Sequence, residues 1–492
     1  MSEPNQLPVF HVVGFTGHRQ VKDEAGVARV LREVLAGLKA EPGVEWLALS
    51  SIAAGSDMLF ARTAIDLGLG WEVVLPMPPA EFRRDFQDQE WTGVESLLAK
   101  AEQVRVIGER TQREDAYLDG GMETVNHSDL LLAVWDGEPA RGRGGTAEIV
   151  AYAREIGRPI LIIDSHTLAV HRENFERLKK GDRHLEFFNR LPAAPGSVTD
   201  PLPERALVRR FHDKLDHLAT RHGPNFRRLT TITVLLHVLA TALAAAAVAF
   251  GLHYVALPWV KLLCLIGALV VAFVLRRHRD EKDWVRCRLG AEISRSALAT
   301  WGLPRQLRLF DDFDWAGLEP LRRSLDILQR RSARANPATF DEFKQRYLTT
   351  RLDDQLAYFA RQEQRAVPLL ARLRAGFLIT TVVAVVFTLL YSLTTLMPGY
   401  VPPSWVQHWL FEFFPIVLPV MAAAFISLIA IYDLHHRVAR YDEMCVRLDA
   451  ARKEAAFVQT WGSLERVVTK AERALLQEVF EWHSITSFSD TH

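Results

Sequence analysis

The sequence predicts two architectures in series. An α/β, doubly wound, mostly parallel sheet comes first, followed by an all-α membrane region of four transmembrane helices with long cytoplasmic helices. Three observations carry this expectation. Short apolar runs alternate with amphipathic stretches over residues 9–163. Two later tracts, Leu229 to Val260 and Ala375 to Phe411, contain no Asp, Glu, Lys or Arg. Finally, 49% of the chain is hydrophobic while 24% is charged, which means apolar and polar residues are segregated along it.

In the first part, VFHVVGF (9–15), VEWLALS (44–50), WEVVLPM (71–77), QVRVIG (103–108), DLLLAVWD (129–136) and RPILIID (158–164) read as strands. Between them, AGVARVLREVLAGLKA (25–40), GSDMLFARTAIDLGL (55–69) and GTAEIVAYAREIG (145–157) have helical spacing, and a long helical stretch separates the third and fourth strands. Apolar strands alternating with amphipathic helices make a parallel sheet covered on both faces. In such a sheet the ligand crevice lies at the carboxyl ends of the strands. The expected domain is 1–165, with a polar, Pro-rich linker over 166–206.

Spans are expected at 229–251, 256–275, 376–397 and 411–432 from their length and lack of charge. Arg221, Arg227 and Arg228 precede the first, and Arg276, Arg277 and Arg279 follow the second. Arg372 and Arg374 precede the third, and Arg437 and Arg440 follow the fourth. Lys261 alone marks the short turns, so the positive-inside rule places both termini in the cytoplasm of an inner-membrane protein. Trp259, Trp405 and Trp409 fall where indoles anchor at the outer interface.

The membrane half repeats itself, as 207–340 and 341–492. FHDKLDHLA (211–219) parallels LDDQLAYFA (352–360), each ahead of a hairpin, and TWG recurs at 300–302 and 460–462. The long helices 434–458 and 464–482 are expected to bundle through Leu448, Ala451, Ala455, Phe457 and Val458. Thr380, Thr381, Thr388 and Ser392, with Pro415 and Pro419, are read as helix-internal bonding and bending, with a pore lining as the alternative.

Lys+Arg and Asp+Glu both number 59, so net charge does not point to nucleic acid. Cys264, Cys287 and Cys445 lie far apart without CxxC, which supports neither a disulfide framework nor a metal site. No secretory signal is expected from MSEPNQLPVF, and no metal or resident cofactor is expected.

Three loops converge on the strand ends. In GFTGHR, Gly14 and Gly17 permit close backbone approach, and Thr16, His18 and Arg19 can donate to phosphate or ribose. In SSIAAGSDMLF, Gly55, Ser56 and Asp57 stand at a helix start, either as an ordinary cap or facing a ligand. In WDGEPARGRGGTAE, Asp136 ends a strand, Arg141 and Arg143 flank Gly142, and Gly144, Gly145, Thr146 and Glu148 enter a helix. The amides of Gly144, Gly145 and Thr146 are expected to point outward toward an anion. Neither GxxxxGK[ST] nor GxGxxG is present.

These residues carry a resemblance. GFTGHR, AAGSDMLFA, VVLP and DLLLAVWDG…GGTAEIVAYA are similar, in order, to motifs of the SLOG superfamily, a Rossmann-like fold shared with cytokinin-activating phosphoribohydrolases and DprA-type proteins. The resemblance implies a nucleotide-like ligand, either cleaved at an N-glycosidic bond or sensed. The hydrolase motif PGGxGTxxE is altered here: the Pro is missing, and Glu148 lies two residues after Thr146, with Ile149 in the motif's glutamate position. On a helix that offset re-aims the carboxylate by about 100°.

RYLTTRLDDQLAYFARQ, RYDEMCVRLDAARKEA and LLQEVFEWHS, in the second repeat, resemble SLATT, a two-span effector associated with SLOG; the first repeat reads as its divergent copy. The resemblance implies a membrane effector, pore-forming or membrane-perturbing, in bacterial antiviral or conflict systems. The leading expectation is therefore a sensor of a cyclic nucleotide or an NAD/ADP-ribose derivative, coupled to an oligomeric effector in the lipid bilayer. The alternatives are a membrane-tethered nucleotide or NAD glycohydrolase using Asp57, Asp136 or Glu148, and a scaffold with a degenerate pocket.

Overall fold

The computed structural model describes residues 6–108, 112–140, 142–178, 183–196, 200–252, 254, 256–277, 280–304, 318–397 and 401–488. Arg141 and Arg279 lie outside them. The chain forms two compact units.

The α/β unit begins with β1 (Val9–Gly17), α1 (Glu24–Lys39), β2 (Val44–Ser50), α2 (Ser56–Asp66), β3 (Gly70–Leu75), a short α3 (Pro79–Phe82), α4 (Asp88–Lys100) and β4 (Gln103–Val106). It continues with α5 (Arg113–Asn126), β5 (Leu130–Trp135), α6 (Thr146–Glu155), β6 (Ile160–Asp164), β7 (Val170–Glu173) and α7 (Arg183–Arg190). The sheet order is β4-β3-β2-β1-β5-β6-β7, parallel except for β7. Both faces are covered. Phe15, Phe60, Trp71 and Leu132 are buried in one layer; Leu131, Ile149, Val150 and Ile160 fill the other. Gly121 in α5 faces the Ile149 side chain, so close helix packing accounts for this glycine inside a helix.

Residues expected as linker contain β7 and α7. The edge strand is exposed along VHRE, and its polar pattern hides it from a reading based on apolar runs. Asn189 of α7 bonds both Leu7 N–H and C=O at 2.9 Å, tying the helix to the chain just before β1.

The helical unit contains α8 (Pro203–Ala249), α9 (Ala256–Arg277) and α10 (Asp280–Ala299). The chain then forms α11 (Glu319–Ala335), which belongs to the α/β unit, before returning with α12 (Phe340–Tyr347), α13 (Asp354–Thr394) and a short α14 (Ser404–Val406). The unit ends with α15 (Phe414–Ile431), α16 (Leu434–Phe457) and α17 (Trp461–Phe488). Among the described residues, four helices are long and apolar enough to cross a membrane: Arg228–Ala249, Ala256–Val274, and windows within Phe340–Thr394 and Ser404–Phe457. The long helix, hairpin, long helix arrangement thus occurs twice, as α8–α9–α10 and α13–α15–α16.

Leu448, Ala451 and Ala455 are buried in the bundle core, as the apolar stripe predicts. Phe457 is not; it is 85% exposed at the last position of α16. Thr380, Thr381, Thr388 and Ser392 each donate to the carbonyl four residues back, at 2.8–2.9 Å. Their hydroxyls satisfy their own helix. Across the bundle, Arg351 forms a bidentate pair with Glu472 at 2.8 and 2.7 Å, and Tyr347 donates to the same carboxylate at 2.9 Å. Arg351 sits in a π-helical turn, Leu348–Asp353, which absorbs an extra residue where α12 runs into α13.

The sequence repeat would place 319–335 with the first membrane unit, but α11 completes the α/β unit. Leu321, Leu325 and Leu328 form its buried face. Its arginines reach carboxylates across the sheet: Arg330 to Glu72 at 2.7 Å, Arg331 to Glu102 at 3.1 Å, and Arg323 to Asp129. Ser324 donates to Pro8 O at 2.7 Å, and Arg334 to Ala101 O at 2.7 Å. The Arg330–Glu72 pair is 14% and 7% exposed, so removing one partner strands a charge. Arg330→Ala should destabilise the α/β unit by about 3 kcal/mol, read by thermal unfolding of the full-length protein. An unchanged midpoint would mean that the pair does not hold α11 in place.

Candidate functional site

Strand order reverses between β1 and β5: β2, β3 and β4 extend to one side of β1, and β5 starts on the other. The loops after β1 and β5 therefore diverge at a topological switch point, where doubly wound sheets bind ligands. The structure brings Gly17–Arg19 and Gly55–Asp57 together there with Asp136 and the described part of the loop that follows it.

The first two loops lock onto each other. Ser56 donates from both its amide (3.1 Å) and its hydroxyl (2.8 Å) to His18 O. Gly55 has φ +88°, and a Cβ there would run into the Arg19 carbonyl; a Cβ on Gly17 would run into Ser56 Oγ. Close backbone approach thus requires both glycines. Ile52, fully buried, has φ +53°, an uncommon state for a β-branched residue.

Asp57 turns inward. It is 4% exposed, and Ser50 Oγ donates to it at 2.9 Å. Burial pushes its carboxyl up to about 7, despite the Ser50 hydroxyl, the Ala53 amide and the Arg19 charge acting the other way. The start of α2 is consequently closed: its first amides serve His18 O and Gly55 O. Gly14 lies within β1 rather than at its end, packed against Ser128.

The third loop is different. Asp136 lies beside His18, with Nε2 3.0 Å from Oδ1 and 3.1 Å from the Asp136 amide nitrogen. Burial works against the Asp136 carboxylate, but the Glu138 amide and His18 outweigh it and hold the group below the usual range. Contrary to expectation, the Gly144 and Gly145 amides do not face outward. Gly144 N–H donates to Glu148 Oε2 at 2.7 Å, and Gly145 N–H to Gly142 O at 3.1 Å. Among the described residues, the amides of Thr146 and Ala147 have no acceptor, so α6 offers two donors and the positive end of its dipole.

The wall facing this loop comes from α5, which sequence patterning missed. Arg19 stands over the Tyr117 ring, 5.1 Å from its centroid, and the Tyr117 hydroxyl donates to Asp85, which also pairs with Arg113 at 2.6 Å. Burial, then the Asp85 carboxylate, pushes the Tyr117 phenol up to about 12. Arg143 pairs with Asp115 at 3.0 Å. A Cβ on Gly144, at φ +75°, would meet the Leu118 amide nitrogen at 2.6 Å, so this glycine seats the loop on α5. The weakly amphipathic REDAYLDGGMETVN gave no signal that it lines a site. No cluster of metal-ligating side chains occurs among the described residues.

Residues 210–301 match the family model described as SMODS and SLOG-associating 2TM effector domain 3. The match covers α10 and α9 with most of α8, the copy that reads from sequence as the more divergent one. That stretch is similar to a two-span membrane effector domain. No curated protein matches the chain.

The buried Asp57 sets a pH dependence. Its folded-state pKa exceeds the unfolded value, so its contribution to stability is full below pH 3.8 and is lost as pH rises to about 7. Asp57→Asn should gain on wild type by up to roughly 1.4 kcal/mol per pH unit across that window and level off above it. Full-length unfolding at pH 5, 6, 7 and 8 measures this. A constant difference at all four would show that Asp57 does not take up the proton.

Proposed function

We propose that this protein is a membrane-anchored sensor–effector. A nucleotide-derived ligand, a cyclic nucleotide or an NAD/ADP-ribose derivative, seats its phosphate at the start of α6. Its binding shifts the membrane helices between two arrangements. The observation that carries this reading is the pair of amides at Thr146 and Ala147, without an acceptor among the described residues, at the start of the helix that follows β5 at the switch point. The likeness of 210–301 to a two-span effector domain supports the output half, and it is consistent with an antiviral or conflict role in bacteria. Arginine-rich flanks around the spans support a cytoplasmic position for the α/β unit under the positive-inside rule. Apolar spans whose hydroxyls bond their own helices favour a pore or membrane defect built by several copies.

Sensing is favoured over cutting by what the acidic groups already do. Asp57 is buried against Ser50, Glu148 accepts the Gly144 amide, and Asp136 faces His18. A hydrolase needs a carboxylate free to handle a proton or a water at the scissile bond.

A ligand moves the membrane helices only by binding their two arrangements with different affinity. Full-length protein in liposomes should show both a ligand-induced rise in unfolding temperature and dye leakage, with cyclic dinucleotides, cyclic mononucleotides and ADP-ribose as probes. Gly145→Trp should abolish both. Leakage that ignores every probe that binds would refute the coupling. Product formation lost in Glu148→Gln would overturn sensing in favour of catalysis.

A further inference from the structure

The helical unit holds a cavity of about 730 Å³, lined by five arginines and four carboxylates, that the proposed function does not use. It is walled by α8 and α10 of the first copy and by α13, α16 and α17 from the second copy onward. That volume suits a small ligand rather than a few waters. It also lies level with the ends of the spans: Arg228 opens the first apolar helix, and Tyr432 directly follows α15.

The charges lining it do not cancel. Arg295 is held by Glu292 at 2.7 Å and Asp216 at 2.8 Å, and Arg440 by Asp433 at 2.8 Å. Arg288 approaches the same Glu292 at 3.8 Å. These pairs consume three of the four carboxylates. The fourth, Glu478, is pushed up by burial against the pull of Arg288, Arg440 and Arg437, and among the described residues it makes no ion pair, so five guanidinium groups face four carboxylates. Arg228 and Arg437 remain, and among the described residues neither has a carboxylate within salt-bridge distance. Arg437 instead donates Nε–H to the Tyr441 hydroxyl at 2.9 Å, leaving the rest of its fork for another acceptor.

We propose that this cavity is a binding site for a phosphate-bearing anion, held by Arg228 and Arg437 at the joint between the two membrane copies. Guanidinium forks match phosphate oxygens in geometry and charge, and a partly enclosed cation surplus is relieved by an anion. Either a lipid headgroup or a soluble phosphate carries that chemistry. Because both copies line the cavity, an occupant here bears on how they pack against each other.

The test uses the full-length protein and two probes. Pyrophosphate is titrated into protein in phosphatidylcholine nanodiscs; separately, phosphatidylglycerol replaces a third of the phosphatidylcholine. Wild type should gain thermal stability with at least one probe, and which one identifies the source. Arg228→Gln/Arg437→Gln should keep the midpoint of wild type in plain phosphatidylcholine and lose at least tenfold in apparent affinity. Arg228→Lys/Arg437→Lys, which keeps the charge but loses the fork, should fall between wild type and the glutamine variant. No stabilisation by either probe would overturn the proposal. So would stabilisation that persists undiminished in the glutamine variant, because the anion would then sit elsewhere.

Discussion

The structure depends on a helix that arrives late. Only after the chain has formed the first hairpin does α11 complete the α/β unit, at Glu319–Ala335. Its arginines neutralise Glu72, Glu102 and Asp129, carboxylates that would otherwise sit half-buried and unpaired. Such charges are costly to strand, so the sheet and α11 stabilise each other. The chain therefore passes from the α/β unit to the helical unit, back, and out again. Each membrane copy is joined covalently to the α/β unit, the first through residues 191–203 and 299–319, the second through 335–340.

The candidate site follows a different logic at its two helix starts. At α2 the backbone is consumed internally: Ser56 serves His18, and Asp57 is drawn into the core beneath the loop. At α6 the glycines are also engaged, by Glu148 and Gly142, but the next two amides stay open. The loop before α2 thus acts as a brace, and the loop before α6 leaves the donors that the proposed ligand would need. Rigidity matters because a pre-ordered loop loses less entropy when a ligand binds.

The helical unit pairs apolar spans with a polar interior beyond them. Within the third span, the hydroxyls of Thr380, Thr381, Thr388 and Ser392 return to their own helix, whereas Thr231 of the first span donates to the Tyr432 hydroxyl at 3.3 Å. Beyond them, buried ionic contacts such as Arg351–Glu472 take over, and these are directional. Ionic contacts of that kind set register more sharply than aliphatic packing does.

The sequence alone determined the class of each half. Strands buried on both faces must be nearly continuous apolar runs, and bilayer spans must exclude charge, so both are visible without coordinates. The three loops were legible for the same reason, because glycines at strand ends mark close backbone approach. What tertiary structure decided is where partially polar elements go. The leucines of α11 announce a helix but not its partner, and VHRE shows no apolar alternation because an edge strand meets solvent. The α5 wall was invisible because Tyr117, Asp85 and Arg113 gain their roles only by meeting across 28–32 residues. The two open amides of α6 were equally hidden. Spacing places a helix start at GGT, but only the folded loop shows that Glu148 bends back onto Gly144 while the Thr146 and Ala147 amides have no acceptor among the described residues.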